Sequence, residues 1–474
     1  MRTAVAVFAS LITSSSALAG SIQAPGVIGG ADSGPTAANP AATMYNPAAL
    51  RLADGTQAML DVQLANVRVD VTSWRNGGFD PNTGEPYGLA KARVKAPVTF
   101  LGFSYELPAR TTIGLGLTTP FIGGGDYTAG EDNPPPYTSH QRYFGINTKV
   151  ITAQMLPSVS YTPVEDWGLH VGAGMTYTLD IIQVTKASNT GFEGLQSNGT
   201  GPYSTDAILS GEARGSHLGW NVGVMFDKYE KAQLGASYTS AGTFHAEGDA
   251  KVEFPSALVA GDGGKTVKGD VEVSLNLPAI IRAGLNSQVS DKLNLGASWE
   301  HFQWHDCCGD RDGDIAIKLQ DKDGNAVGEE DPDVQIGVSK QQYSPRRLLD
   351  ANNVAFFGGY QHDDALWLGT RVSYNQNAVP DYAVGATNLD FENAGFMLAS
   401  KYRFALNDKK TKGLTVGLSY SKFFLVTRKV SGTAWGADVP DERFSPADPP
   451  VNVSGDGIYE GKVDIFGFRL SYDG

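Results

Sequence analysis

The chain has 474 residues, a formal net charge of -14 and a sequence pI near 5.0, a balance that argues against nucleic acid as a partner. Its 2 cysteines rule out a disulfide-built scaffold. A mean hydropathy of -0.21 beside 57 glycines, 19 tyrosines and 21 phenylalanines excludes a bundle of apolar helices, but suits strands that show lipid only every second residue.

At the N-terminus, Met1-Arg2-Thr3 precedes an apolar run, Ala4 to Ile12, and then Ala17-Leu18-Ala19. Basic start, short apolar run and small-x-small site together read as a signal peptide, residues 1–19, cleaved after Ala19. The run is too short to anchor, and no later segment reaches the roughly 20 apolar residues of a transmembrane helix. An exported chain without such a helix is periplasmic, secreted, or a barrel in the outer membrane.

Residues 20–54 are rich in Ala, Gly, Pro and Ser and show no alternation. They read either as a disordered leader or as a hatch lodged inside a barrel, which at this size has room for a small internal segment. From residue 55 onward, period-2 alternation recurs. Leu169, Val171, Ala173, Met175, Tyr177 and Leu179 alternate with small or polar residues, as do Leu218, Trp220, Val222, Val224 and Phe226. Short polar turns such as Pro108-Ala109-Arg110 and Ser290-Asp291-Lys292 alternate with long connections such as Lys186–Glu212, Asp306–Asn352 and Lys429–Glu460. That asymmetry predicts periplasmic turns and extracellular loops around an all-β, transmembrane antiparallel β-barrel of about 14 strands, residues 55–474.

The third predicted strand, Thr111 to Ile122, carries Gly114, Gly116 and Pro120. Proline cannot donate to the ladder and the glycines remove inward side chains, so a bend or gap is expected there, or an ordinary strand end. Inward cations follow from parity. Val271, Val273, Leu275, Leu277, Ala279, Ile281 and Leu285 are read as one lipid face, which points Arg282 inward. Leu366, Leu368, Val372 and Tyr374 do the same for Arg371, and Phe396, Leu398, Tyr402 and Phe404 for Lys401 and Arg403. Arg469 faces inward opposite Phe466, Phe468, Leu470 and Tyr472. A charge facing mid-bilayer lipid costs roughly 2–4 kcal/mol, which supports this parity. These five cations are candidates for a carboxylate-bearing ligand; the alternative is pairing with inward Glu272, Glu300, Asp180 or Asp32. Tyr137, Phe144, Ile208, Leu209, Leu258 and Val259 are candidates for an apolar capture groove among the loops.

His301, His305, Cys307 and Cys308 suit no standard metal spacing, and Asp321-Lys322-Asp323-Gly324-Asn325 lacks the glycine and glutamate of an EF-hand. No metal and no cofactor is expected. The adjacent cysteines leave a vicinal disulfide, an intermolecular bond or two thiols open.

The run GADSGPTAANPAATMYNPAAL, with Asn46-Pro47-Ala48, resembles the N-terminal hatch of the FadL/TodX family of outer-membrane hydrocarbon and fatty acid transporters. Leu275-Asn276-Leu277-Pro278 followed by a strand ending in Trp304 is similar to a hairpin of that family, and Asn377-Ala378-Val379-Pro380-Asp381-Tyr382 to one of its loops. The resemblance covers about Gly26 to the C-terminus. It implies a monomeric fourteen-stranded barrel with a hatch, residues 20–54, capture of an apolar ligand by the loops, and lateral release beside a kinked third strand. The expected partners are a fatty acid or hydrocarbon ligand, lipopolysaccharide and outer-membrane lipid. Alkanes and monoaromatics are alternative ligands. A barrel-embedded lipid hydrolase, a general porin and an adhesive barrel are the other classes; no histidine sits in a hydrolase motif.

Overall fold

The computed structural model describes residues 28–73, 89–119, 122–126, 145–189, 206–229, 231–256, 259–260, 264–309, 315–328, 331, 333–334, 341–344, 347–384, 389–407, 412–430 and 457–474. The expected signal peptide, Pro120, Tyr137, Phe144 and Leu258 lie outside them.

Alternation produces strands, and every strand pairs antiparallel with its neighbours in sequence. The wall consists of β1 Thr56–Ser73, β2 Leu89–Leu107, β3 Thr111–Thr118 with a continuation Ile122–Asp126, β4 Asn147–Val164, β5 Leu169–Asn189 and β6 Asp206–Tyr229. Two strands follow in two pieces each: β7 Ala232–Thr239 and Gly242–Phe254, and β8 Lys265–Leu277 and Ala279–Ser290. The rest are β9 Leu293–Gln303, β10 Ala351–Gln361, β11 Leu366–Asn375, β12 Asn393–Ala405, β13 Gly413–Leu425 and β14 Gly457–Asp473. β14 pairs with β1 from Gln57↔Asp473 to Ser73↔Gly457, which closes the sheet into a fourteen-stranded barrel. Closure removes the free edges that a bilayer would not tolerate.

The outer face shows an exposed belt of large apolar side chains, among them Leu64, Phe103, Met175, Leu218, Trp220, Phe356, Leu398, Leu418 and Phe466. In water such a belt would be costly, so it marks the surface that lipid covers. β5 and β6, at 21 and 24 residues, are about twice the roughly 9–11 residues that a bilayer requires. Their far ends therefore stand beyond the lipid on the side of the long loops.

Three faults interrupt the regular alternation. In β3, Thr118 pairs with Gln154 but Ile122 with Ile151, so β3 carries one residue more than β4. In β7, Asn221↔Thr239 is followed by Gly215↔Ala246, again one extra residue, at Ser240–Ala241. β8 breaks opposite that fault, at Pro278, and pairing across the two stays in step: Ile280↔Thr239 and Leu277↔Gly242. An extra residue flips every side chain beyond it. Hence Val271 and Val273 are buried in the lumen and Glu272 points outward to Lys318, 3.0 Å away. This corrects the single lipid face read for Val271–Leu285 and the inward reading of Glu272. The Leu275-Asn276-Leu277-Pro278 run marks the fault within a strand rather than the start of one.

The expected Asp306–Asn352 loop contains α-helix Trp304–Cys308 and two short strands, Ile315–Gln320 and Gln341–Ser344. Ile208 and Leu209 lie in β6 rather than in a loop, with Leu209 buried. Cys307 and Cys308 form a vicinal disulfide.

Candidate functional site

Residues 28–54 lie inside the barrel and lead into β1 at the end bearing the short turns, the periplasmic end by the usual asymmetry. It forms one helical turn, α1 Ala42–Tyr45, and a 3-10 helix, Pro47–Leu52. Ile28, Ala31, Ser33, Tyr45, Asn46, Ala48 and Leu50 are fully buried or nearly so.

Asn46 anchors this hatch. Its side-chain oxygen accepts from Ala48 N at 3.1 Å, capping the 3-10 helix, with Pro47 at the first helical position where no N–H is needed. Its amide nitrogen donates to Pro35 O at 2.9 Å and to Val224 O of β6 at 3.0 Å. The wall is hollowed to receive it: a Cβ on Gly223 would lie 1.9 Å from Asn46 Oδ1, and one on Gly172 2.3 Å from Ala48 N. Gly114 and Gly116 of β3 serve the same purpose. A Cβ on Gly114 would lie 2.8 Å from Leu50 and Thr43, and one on Gly116 2.5 Å from Thr43 Oγ1. The space those glycines vacate is filled by the hatch.

Wall hydroxyls and amides secure the hatch backbone. Ser237 donates to Tyr45 O at 2.5 Å, Ser160 to Ala48 O at 2.9 Å and Asn221 to Thr43 O at 2.9 Å. The inward cations do likewise. Arg371 donates to Ser33 O at 2.7 Å and to Ser298 Oγ at 3.1 Å. Lys401 pairs with hatch Asp32 at 2.7 Å. Arg469 holds Asp61 through two bonds of 2.9 and 3.0 Å, and Asp61 accepts from hatch Gly29 N at 3.1 Å. Arg282 pairs with Glu300 at 2.8 Å and donates to Thr239 at 2.9 Å. Arg403 pairs with Asp473 at the periplasmic rim. Each of the five therefore has a protein partner. Arg371, Lys401 and Arg469 converge on the hatch; Arg282 and Arg403 do not. Asp61 was legible by parity, since Leu60 and Leu64 face outward; its role as a hatch acceptor was not.

Above the hatch the lumen changes character. Val67, Val69, Val71, Ala92, Val94, Tyr459, Val463 and Ile465 of β1, β2 and β14 are buried facing inward, with Val379, Leu389 and Phe391 from the β11–β12 connection packed among them. Ile182, Leu209, Phe244, Val252 and Val271 line the opposite side. Arg428, just past β13, holds the connection in place by donating to Val379 O and Asp390 O at 2.9 Å and pairing with Asp381. Sequence offered no signal for it, because it follows the last alternating residue of its strand.

The fault in β3 lies beside the hatch. β2 pairs with β3 only from Phe100 to Leu107. There the ladder ends in threonines: Thr119 N and Thr118 Oγ1 both donate to Thr99 O, at 3.2 and 3.1 Å. Beyond Thr99, β2 pairs with β1 alone among the described residues. An apolar cluster abuts this seam: Met59, Val98, Phe100 and Leu156 from the wall, and Ile28, Met44 and Tyr45 from the hatch. Below the hatch, by contrast, a recess of about 300 Å³ at the periplasmic end is lined by Lys231, Gln233, Asn286, Gln288, Lys292 and Asn294. No group of three His, Cys, Asp or Glu among the described residues lies together to hold an ion.

The sequence profile of the family described as outer membrane protein transport protein (OMPP1/FadL/TodX) matches residues 6–387. Among solved structures the chain is similar to a Pseudomonas aeruginosa FadL homologue, with a TM-score of 0.68 at 17% identity over 98% of this chain and 99% of that one. It is also similar to the Pseudomonas putida toluene transporter TodX, with a TM-score of 0.61 at 17% identity over 91% and 92%. A 47 kDa outer membrane protein of Pasteurella multocida (strain Pm70) is 22% identical over 198 residues, 40% of this chain and 41% of that protein. The match thus spans less than half of that relative's length.

Proposed function

The chain belongs to the outer membrane protein transport family (OMPP1/FadL/TodX), and from that premise we propose that it carries hydrophobic small molecules passively across the Gram-negative outer membrane. One observation carries the reading: an apolar extracellular half-lumen stands directly above a hydrogen-bonded hatch whose apolar flank meets a seam in the wall. An apolar solute gains by leaving water for the upper lumen. On hatch displacement it faces two exits. The periplasmic recess presents mostly amides and charges, with Leu293 and Trp367 among them, whereas the seam at β3 presents Met59, Val98, Phe100 and Leu156. Transfer favours the second, so release is lateral, into lipid, with Gly114 and Gly116 seating the part of the hatch that must move.

The preferred ligand in this reading is an uncharged hydrocarbon. A carboxylate needs a cation, and every inward candidate is held by a backbone carbonyl or an acid of the protein itself. Long-chain fatty acids are the second reading. They would bind if the carboxylate displaced the Ser33 carbonyl from Arg371, which would couple capture to hatch release. Mass spectrometry of lipid-like molecules co-purified in mild detergent tests both: a saturated or aromatic hydrocarbon fits the first, a fatty acid the second. A tightly held sugar or peptide would refute the transport reading.

A further inference from the structure

The outer face above the lipid belt carries a charge pattern that neither transport nor folding explains. On β5, outward Leu179 is followed by Gln183, and on β6 outward Leu218 by Arg214 and Glu212. Beyond the fault at Ser240–Ala241, outward parity on β7 selects Glu247, Asp249 and Lys251; beyond Pro278, on β8, it selects Glu272, Asp270 and Lys268. These side chains meet like with like. Lys251 lies opposite Lys268, Asp249 opposite Asp270 and Glu247 opposite Glu272. Asp249 also lies opposite Glu212.

Like charges directly across a ladder destabilise it. Of the three consecutive pairs, Glu247 has Arg214 across from it and Glu272 has Lys318, which leaves the shortage of counter-ions at the Asp249–Asp270 and Lys251–Lys268 pairs. Some of the charge is met internally: Glu212 accepts from Arg214 and Gln183, Lys251 pairs with Glu253, and Glu272 with Lys318. Lys149, Lys268, Lys322, Asp249 and Asp270 have no partner among the described residues. All five line one outward recess of about 900 Å³ spanning β4 to β8.

We propose that this recess binds the phosphorylated sugar headgroup of an outer-leaflet glycolipid. Its phosphates would meet Lys149, Lys268 and Lys322, and the divalent cations that such phosphates carry would meet the Asp249–Asp270 row through water. The position supports a lipid rather than a soluble anion. The recess is continuous with the lipid-facing rows below it, so acyl chains of the same molecule would lie along Leu179, Leu218 and Trp220, and it opens outward, away from the lumen.

The test uses full-length protein in mild detergent, with native mass spectrometry reading the bound lipid per barrel. Diphosphorylated lipid A is the probe, with its dephosphorylated form and free inorganic phosphate as comparisons. The triple variant K149E/K268E/K322E should retain at least tenfold less lipid A, and EDTA should lower retention by wild type. The dephosphorylated lipid should bind weakly, and inorganic phosphate at matched concentration should not displace lipid A. Boiled and unboiled gel mobility shows that the variant barrel is folded, and D249N/D270N, which keeps the lysines, should reproduce the EDTA effect. Unchanged retention in the lysine variant or in EDTA, or equal binding of the dephosphorylated lipid, overturns the proposal. The inference rests on the outer-membrane placement and not on the transport reading. Hydrocarbon binding by the lysine variant should stay at the wild-type level, so the two readings fail separately.

Discussion

Replacing Arg371 by alanine separates a hatch anchor from a ligand anchor. Arg371 is 8% exposed and donates to the hatch carbonyl of Ser33 at 2.7 Å, with a second bond to Ser298 across the wall. A hydrogen bond from a charged donor contributes about 1.5–3 kcal/mol. With about 1.4 kcal/mol for each factor of ten, R371A should raise the population of the released hatch roughly 10- to 100-fold. Hydrogen–deuterium exchange read by mass spectrometry on peptides covering residues 28–46 measures this directly, with Leu366–Asn375 as the wall control. Arg371→Lys keeps the charge but not the fork of donors, so it should fall between wild type and R371A. Faster exchange in the wall as large as that in the hatch would mean that the barrel, not the hatch, has loosened. Unchanged hatch exchange together with lost oleate binding would refute the anchor assignment and restore Arg371 as a ligand residue.

Gly223→Val would place a side chain where Asn46 Oδ1 sits, 1.9 Å from the nearest possible Cβ; the barrel should still show heat-modifiable mobility while planar-bilayer conductance rises. Arg428→Ala should free the connection around Val379 and Asp390, which Arg428 holds with bonds of 2.9 Å; limited proteolysis should then cut near Val379–Val384 and ligand affinity should fall several-fold. Burial pushes the Asp32 carboxyl up, but Lys401 and Arg469 beside it outweigh burial and hold it below the usual carboxylate range. A carboxyl depressed in the folded state adds stability above its unfolded pKa of about 4 and loses it as pH falls further. Hatch exchange, corrected for intrinsic rates, should therefore stay flat from pH 7 to 5 and rise below about 4.

Period-2 alternation orients most side chains, and short turns alternating with long connections turn it into the expectation of a barrel. Alternation is a local property of each strand, set by the pleat, and no partner is needed to read it. In the structure Arg371 and Arg469 are buried in the bore, and residues 28–54, where alternation fails, lie there too. Parity says nothing of what an inward side chain touches. Arg371 and Lys401 meet hatch atoms, and Arg469 meets the β1 carboxylate that accepts from hatch Gly29, each partner more than 300 residues away in the chain, and only closure of the sheet brings those groups together. Parity also fails without warning at a one-residue fault. Ser240–Ala241 and Pro278 invert the faces beyond them, which is why Glu272 reads as lumenal from sequence and stands outside in the fold. Sequence alone therefore determined the wall strands and that residues 20–54 lack strand alternation, but not the helix and short strands of the Asp306–Asn352 connection. Register, hatch contacts and the outward charge rows were decided by tertiary structure, because each depends on which strand lies beside which.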